Sequence, residues 1–182
     1  VGTCQDITEN KKREQIILQK NQQLNFAEKM ARIGNWEYNL INGKVTWSDN
    51  LYEIYGHDKS EPISYETYLN YVHTEDKDFV TKNVQLAFSK KELKNITYRI
   101  QLKNGTVKTI KSIGKVVLNN SGEVLGMQGT CQDITETKNR ELELLKKQQQ
   151  LSIAEEIAQM GHWEWNPNTD LFHWSDNLYR IF

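Results

Sequence analysis

The sequence predicts an α+β domain in which one antiparallel sheet carries helices on a single face and long helices flank it. Three observations predict it. The 182-residue chain repeats itself: Gly2-Thr3-Cys4-Gln5-Asp6-Ile7-Thr8-Glu9 recurs as Gly129-Thr130-Cys131-Gln132-Asp133-Ile134-Thr135-Glu136, at a constant offset that also carries Gly34 to Gly161, Trp36 to Trp163, Trp47 to Trp174 and Tyr52 to Tyr179. The apolar period switches between two and 3.6 along one repeat. The resulting order, two strands, three helices and three strands, closes as a single sheet with its helices on one side. A repeat this long is one structural unit used in series. Residues 1–9 are therefore expected to be the tail of a preceding unit and residues 161–182 the beginning of a following one, so that the chain reads as a piece of a tandem array.

In order, Asp6 followed by Glu9 can satisfy the free N–H groups of a helix start. No Pro or Gly interrupts the chain from there to Ile33, and Gly34 sits where a helix needs a left-handed residue to stop. Residues 10–33 are thus expected to form a linker helix, and residues 135–160 its repeat. Ile17, Leu24 and Ala31 are spaced by seven, as are Leu144, Leu151 and Ala158, and Lys20 and Lys147 interrupt the other half of each heptad. Two readings are open for this narrow stripe: packing on its own domain, or parallel pairing of two chains into a homodimer. The second is the expectation carried forward, because a long helix between domains must cover its apolar side somewhere.

Trp36, Tyr38 and Leu40 alternate with polar residues as a strand, Asn42-Gly43 supplies a hairpin turn, and Lys44 to Trp47 returns. Ser48 can cap a short helix ended by Gly56. Pro62 lies in the loop before a second helix over Tyr65 to Tyr71. Thr74 is expected to cap the third, whose apolar residues are Phe79, Val80, Val84, Leu86, Ala87 and Phe88. Ile96 to Leu102 alternate as a strand, Asn104-Gly105 turns the chain, Val107 to Leu118 continues with a bulge or sharp twist expected near Gly114, and Val124 to Asp133 is the last strand.

Composition narrows the function classes. Formal net charge is −1, from 23 basic and 24 acidic residues spread along the chain, which gives no footprint for nucleic acid or an anionic membrane. The cluster Lys11-Lys12-Arg13 is flanked by Glu9 and Glu14 and reads as a solvated helix face. No apolar run approaches a membrane span. Cys4 and Cys131 are repeat equivalents, so each unit owns one cysteine, which argues for a reducing, cytoplasmic setting. No Gly-rich phosphate loop, Gly-x-Ser-x-Gly or zinc-spaced His/Cys group is present, and no kinase or cyclase motif. The expectation is a non-catalytic stretch.

Gly34-x-Trp36-x-Tyr38 before Trp47-Ser48-x-x-x-Tyr52, Val72-His73-Thr74-Glu75-Asp76 before the third helix, and the terminal Asp133-Ile134-Thr135 together resemble a PAS domain with a PAC-type C-terminal segment. Such domains occur in strings in sensor kinases and cyclases. The resemblance covers residues 34–134 as a complete domain, and implies a five-stranded antiparallel sheet in the order 2-1-5-4-3, a cavity between sheet and helices, and helical linkers to neighbouring PAS and output domains. A sensor histidine kinase is the parent it implies first, a diguanylate cyclase second. Alignment to the family places Tyr98 and Gln128 facing the cavity from the sheet, with Tyr52, Tyr55 and Phe79 on the helical wall.

Within that family, flavin photochemistry of the LOV type needs a cysteine in an Asn-Cys-Arg-Phe-Leu-Gln-like helix, and no such stretch occurs. Cys131 falls on the last strand and is expected to be buried filler. Haem usually takes a histidine from the third helix, and residues 75–90 contain none; His73 precedes it as local structure, and His162 and His173 align with Asn35 and Thr46. The ligand, if there is one, is then a small metabolite, and a cavity filled by its own side chains stays open as the alternative. The function expected is a sensory relay in which Asp133 and Thr135 pin the strand-to-helix junction; the alternative is a spacer that dimerises the parent and binds nothing.

Overall fold

A computed structural model of the chain describes residues 8–181. The expected tail strand at Val1 to Asp6, with Cys4 and the Asp6 cap, lies outside the described residues. The described residues fall into two compact units divided after Thr135.

The first unit opens with helix α1 (Thr8–Met30). Gly34 does not stop it. Arg32 takes the left-handed conformation, φ 53°, with its N–H on the Lys29 carbonyl at 3.1 Å. Gly34 belongs to strand β1 (Ile33–Asn39), where a Cβ would lie 2.6 Å from the Leu51 backbone. Its glycine is a requirement of close packing, not of the helix end. The Asn42-Gly43 turn leads to β2 (Val45–Trp47), and Ser48 then caps α2 (Asp49–Tyr55), its Oγ accepting from the N–H of Leu51 at 3.4 Å and of Asn35 at 2.9 Å. Helix α3 (Tyr65–Tyr71) is capped by Ser64 in the same way.

Thr74 caps no helix. It begins a single 3-10 turn (Thr74–Asp76), and α4 (Lys77–Lys90) follows without a side-chain cap. The Asp76 carboxylate is engaged elsewhere, accepting from the backbone N–H and Nε of Arg99 at 2.7 and 3.0 Å. Along α4, Val80 and Ala87 are buried, while Phe79 and Leu86 are exposed.

Strands β3 (Ile96–Gln101), β4 (Val107–Leu118) and β5 (Val124–Asp133) complete a five-stranded antiparallel sheet in the order β2-β1-β5-β4-β3. Of the bulge or sharp twist expected near Gly114, the bulge is absent, since Gly114 pairs in regular register with Gly129; the irregularity falls between Val117 and Leu118. The two glycines instead make room. A Cβ on either would come within 3.0 Å of the Trp36 ring, so the indole lies across β5 and β4 in the slot they leave. The core, with Leu51, Tyr55, Val80, Tyr98, Ile100, Ile110 and Cys131, sits between the inner face of the sheet and α2 to α4.

Helix α5 (Thr135–Ile157) starts at the last residue of the first unit. In the second unit, β6 (Trp163–Asn166) and β7 (Leu171–Trp174) form a hairpin followed by α6 (Asp176–Ile181). Trp163 pairs with Trp174 as Trp36 pairs with Trp47. Among the described residues no helix is long and apolar enough to cross a membrane.

Candidate functional site

Alternation along β1 and β5 and the inward turns of α2 to α4 converge on one cavity of about 70 Å³ in the first unit, walled by Trp36, Trp47, Leu51, Tyr55, Tyr68, Tyr98, Met127 and Cys131 among others. A water molecule occupies about 30 Å³ and pockets for drug-sized ligands span roughly 300–1,000 Å³. The space therefore suits a very small molecule or a few waters, and a flavin or haem would require the walls to move apart. Its polar content is a hydroxyl and thiol cluster: the Tyr98 hydroxyl lies 3.0 Å from that of Tyr55 and 3.8 Å from Cys131 Sγ. Burial pushes the phenols of Tyr55, Tyr68 and Tyr98 upward, and the Cys131 thiol likewise. At neutral pH all four are protonated, so the cavity offers uncharged hydrogen-bond groups on an apolar wall.

Of the residues placed by alignment, Tyr55 and Tyr98 meet here. Tyr52 turns away, packing its ring 5.6 Å from Trp47 and 5.8 Å from His57. Phe79 is 48% exposed on the outer side of α4. Gln128 lies on the opposite face of the sheet, in register with Glu37 and Lys115. The strand period of two settles it: Met127 and Cys131 point inward, so Gln128 points out. Trp36, Tyr68 and Cys131 were not assigned to the wall from sequence; the parity of Cys131 with Met127 was the available signal. His57 was also missed. It is buried, its Nδ1 is 2.9 Å from the Tyr71 hydroxyl, and its Nε2 has no partner among the described residues.

A second cluster lies at the end of β5. Asp133 Oδ1 accepts from the backbone N–H of Thr135 at 3.0 Å and from its hydroxyl at 2.5 Å, which organises the first turn of α5. The Thr135 hydroxyl oxygen accepts from the Thr109 N–H at 2.9 Å, and the Thr109 carbonyl accepts from the Ile134 N–H at 2.9 Å. The Asp133 N–H donates to the Arg32 carbonyl at 3.0 Å, and Gln132 Nε2 to that of Ala31 at 3.1 Å. The two residues that follow α1 are thus bonded to Gln132 and Asp133 at the end of β5, and Asp133 also holds the first residue of α5. The heptad stripes stand apart: Ile17, Leu24, Ala31, Leu144, Leu151 and Ala158 are all exposed.

Residues 44–131 match a family model described as the PAS fold. The sheet order, the helices on one face and this match decide the matter. The domain is a PAS domain. Its relatives include an Escherichia coli K12 protein named "Probable diguanylate cyclase DgcE", 26% identical over 154 residues, covering 85% of this chain and 14% of the relative. They also include a "Blue-light-activated histidine kinase" of Brucella ovis, 32% identical over 119 residues, covering 65% of this chain and 24% of the relative. The chain thus spans a small part of the length of either. Among solved structures, a sensory box histidine kinase/response regulator from Burkholderia thailandensis superposes with a TM-score of 0.57 at 24% identity, covering 71% of this chain and 97% of that one. The N-terminal domain of a diguanylate cyclase with PAS/PAC sensor from Marinobacter aquaeolei gives 0.54 at 20% identity, covering 58% and 98%. The PAS domain is thus similar to parts of proteins named as histidine kinases and diguanylate cyclases.

Proposed function

We propose that this PAS domain is a non-catalytic sensory relay in a multi-PAS signalling protein, with a histidine kinase ahead of a diguanylate cyclase as the parent. The observation that carries the reading is that Cys131, in the cavity wall, and Asp133, at the start of the outgoing helix, stand two residues apart on one strand. A change of packing at the cavity then falls close to the start of α5, by whichever contacts it is passed on. The ligand is a small neutral molecule that hydrogen-bonds to the Tyr55–Tyr98 hydroxyls. The blue-light activation named for the Brucella relative is not carried over, since the cysteine here is on β5, buried, and raised in pKa, unlike a LOV-type reactive thiol. The exposed stripes of α1 and α5 pair two chains into a parallel homodimer.

A second reading, a spacer that dimerises the parent and binds nothing, is favoured by the small cavity volume of about 70 Å³. Native mass spectrometry with an absorption spectrum of the purified chain separates the two. A dimer carrying an extra small mass that disappears in Tyr98→Trp, which fills the cavity, is the sensory outcome. A dimer of bare polypeptide is the spacer outcome, and a monomer removes the stripe pairing from both.

A further inference from the structure

Helix α2 has no basic residue in its own last turn. Carbonyls at a helix C-terminus need donors from elsewhere, and a cation there is favoured by the helix dipole. The donor comes from β4: Lys108 Nζ donates to the Ile54 carbonyl at 2.6 Å. The same ammonium lies 3.5 Å from Asp133 Oδ2, in a pair whose side chains are both largely shielded from solvent. The other oxygen of that carboxylate, Oδ1, holds the Thr135 N–H and hydroxyl. One lysine thus connects the end of a cavity-wall helix to the carboxylate that organises the first turn of α5. Ile54 is next to Tyr55, whose hydroxyl lies 3.0 Å from that of Tyr98 in the cavity.

We propose that Lys108 is a positioning residue that couples α2 to the α5 start, so that a displacement of Tyr55 in the cavity wall is transmitted through the Ile54 carbonyl and the Lys108 ammonium to Asp133. This rests on the relay reading and adds its route. Two routes compete: along β5 from Cys131 to Asp133, or across from α2 through Lys108. The ammonium favours the second, because it is held by both ends at once. A shift of α2 lengthens the 2.6 Å bond and redistributes the lysine toward the carboxylate, changing how firmly Asp133 holds Thr135. Ile54, Lys108 and Asp133 line a surface depression whose other charged side chains are Lys29, Arg32 and Glu53, and Lys29 is itself paired with Glu53 at 3.0 Å.

The test needs neither ligand nor output domain. Tyr55→Phe removes the hydroxyl contact with Tyr98, and amide NMR of the 182-residue chain reads the response. The expected result is a displacement of the Asp133, Ile134 and Thr135 amide signals, most of which is lost in the Lys108→Met background and restored in Lys108→Arg, while the displacement at Tyr98 and Cys131 persists in all three. A merely structural lysine would not change how Tyr55→Phe is felt at Thr135. Undiminished displacement at the junction in Lys108→Met overturns the route in favour of β5. No displacement at the junction in the native background overturns it too. Should Lys108→Met lose its amide dispersion, Lys108→Gln, which keeps a donor without the charge, carries the same comparison. A chain that binds no small molecule yet shows the Lys108-dependent response defeats the sensory reading and leaves the coupling standing; a bound molecule with no such response does the reverse.

Discussion

Residues 34–54 and 161–181 carry one motif twice, and its local geometry is the same in both. Ser48 N–H donates to the Asn35 carbonyl at 2.9 Å, and Ser175 N–H to that of His162 at 2.9 Å. The serine hydroxyl oxygens accept from Asn35 at 2.9 Å and from His162 at 3.1 Å. A Cβ on Gly34 or Gly161 would meet Leu51 or Leu178 at 2.6 Å. Burial is where they part. Trp47 is 7% exposed and Trp174 37%; Leu51 is 1% exposed, while Leu178 is only partly covered. Turn, cap and glycine contact are therefore properties of the motif itself. Burial comes from elements far along the sequence: α3, α4 and β3 to β5 all contribute to the core that holds Trp47 and Leu51, and Trp36 lies across Gly129 and Gly114 in the first unit. The described residues of the second unit form a two-stranded sheet, and a lone hairpin is marginal in water.

The largest effect expected from this difference is in the leucines. Leu51→Ala should cost the first unit about 3 kcal/mol, the usual loss for a fully buried leucine, and Leu178→Ala under about 1 kcal/mol in the second. Native-state hydrogen exchange measures each separately, at the amides of β5 and of β6. Equal losses would mean that the motif, and not its long-range surroundings, sets stability.

The same division explains what the sequence made legible. Strand alternation, the Asn42-Gly43 and Asn104-Gly105 turns and the Ser48 cap depend on neighbours within a few residues, and the sheet order followed from the family resemblance. The side of a strand or helix that a residue occupies was harder. Gln128 was misplaced because alignment to the family was followed over its parity, which sets it on the face opposite Cys131, and Phe79 because an apolar run along α4 does not say which of two adjacent residues faces the core. Gly34 resembled a helix stop because Arg32 gives no sign in sequence of its positive φ. His57 and Lys108 were invisible as site residues. Each acts through a partner that no local pattern announces, the Tyr71 hydroxyl for one and a backbone carbonyl 54 residues away for the other.

pH separates the two units next. Hydrogen bonds from Arg99 hold the Asp76 carboxyl below its ordinary value. The stability it contributes is present above the unfolded carboxylate pKa of about 4 and is lost as pH falls further. The phenols of Tyr55, Tyr68 and Tyr98 are raised by burial, so their contribution is fully present below the unfolded tyrosine value of about 10 and is lost as pH rises beyond it. The first unit should thus weaken at both ends of the pH range. The second contains none of these four residues. Hydrogen exchange followed against pH should show the β5 amides losing protection, relative to β6, at both extremes, and Asp76→Asn should flatten the acid side. Parallel loss in both units would assign the effect to net charge instead.

The smallest effect concerns the turns. Gly43 has φ 67°, and the equivalent Asp170 adopts φ 53°. A left-handed conformation costs an L-residue about 1 kcal/mol, somewhat less for Asp. At Asp170 the side chain has a compensating contact, accepting from Trp165 Nε1 at 3.1 Å. The residue equivalent to Trp165 is Tyr38, whose ring packs 6.0 Å from Tyr65 and 6.3 Å from Phe88 and supplies no indole donor. Gly43→Asp should therefore destabilise the first hairpin by up to about 1 kcal/mol, whereas Asp170→Gly should stay within about 0.5 kcal/mol, because relief of backbone strain and loss of the indole bond offset one another. Hydrogen exchange at the Lys44 and Leu171 amides reads both. If Asp170→Gly stabilises its hairpin as much as Gly43→Asp weakens the other, the indole contact contributes nothing and backbone strain alone distinguishes the turns.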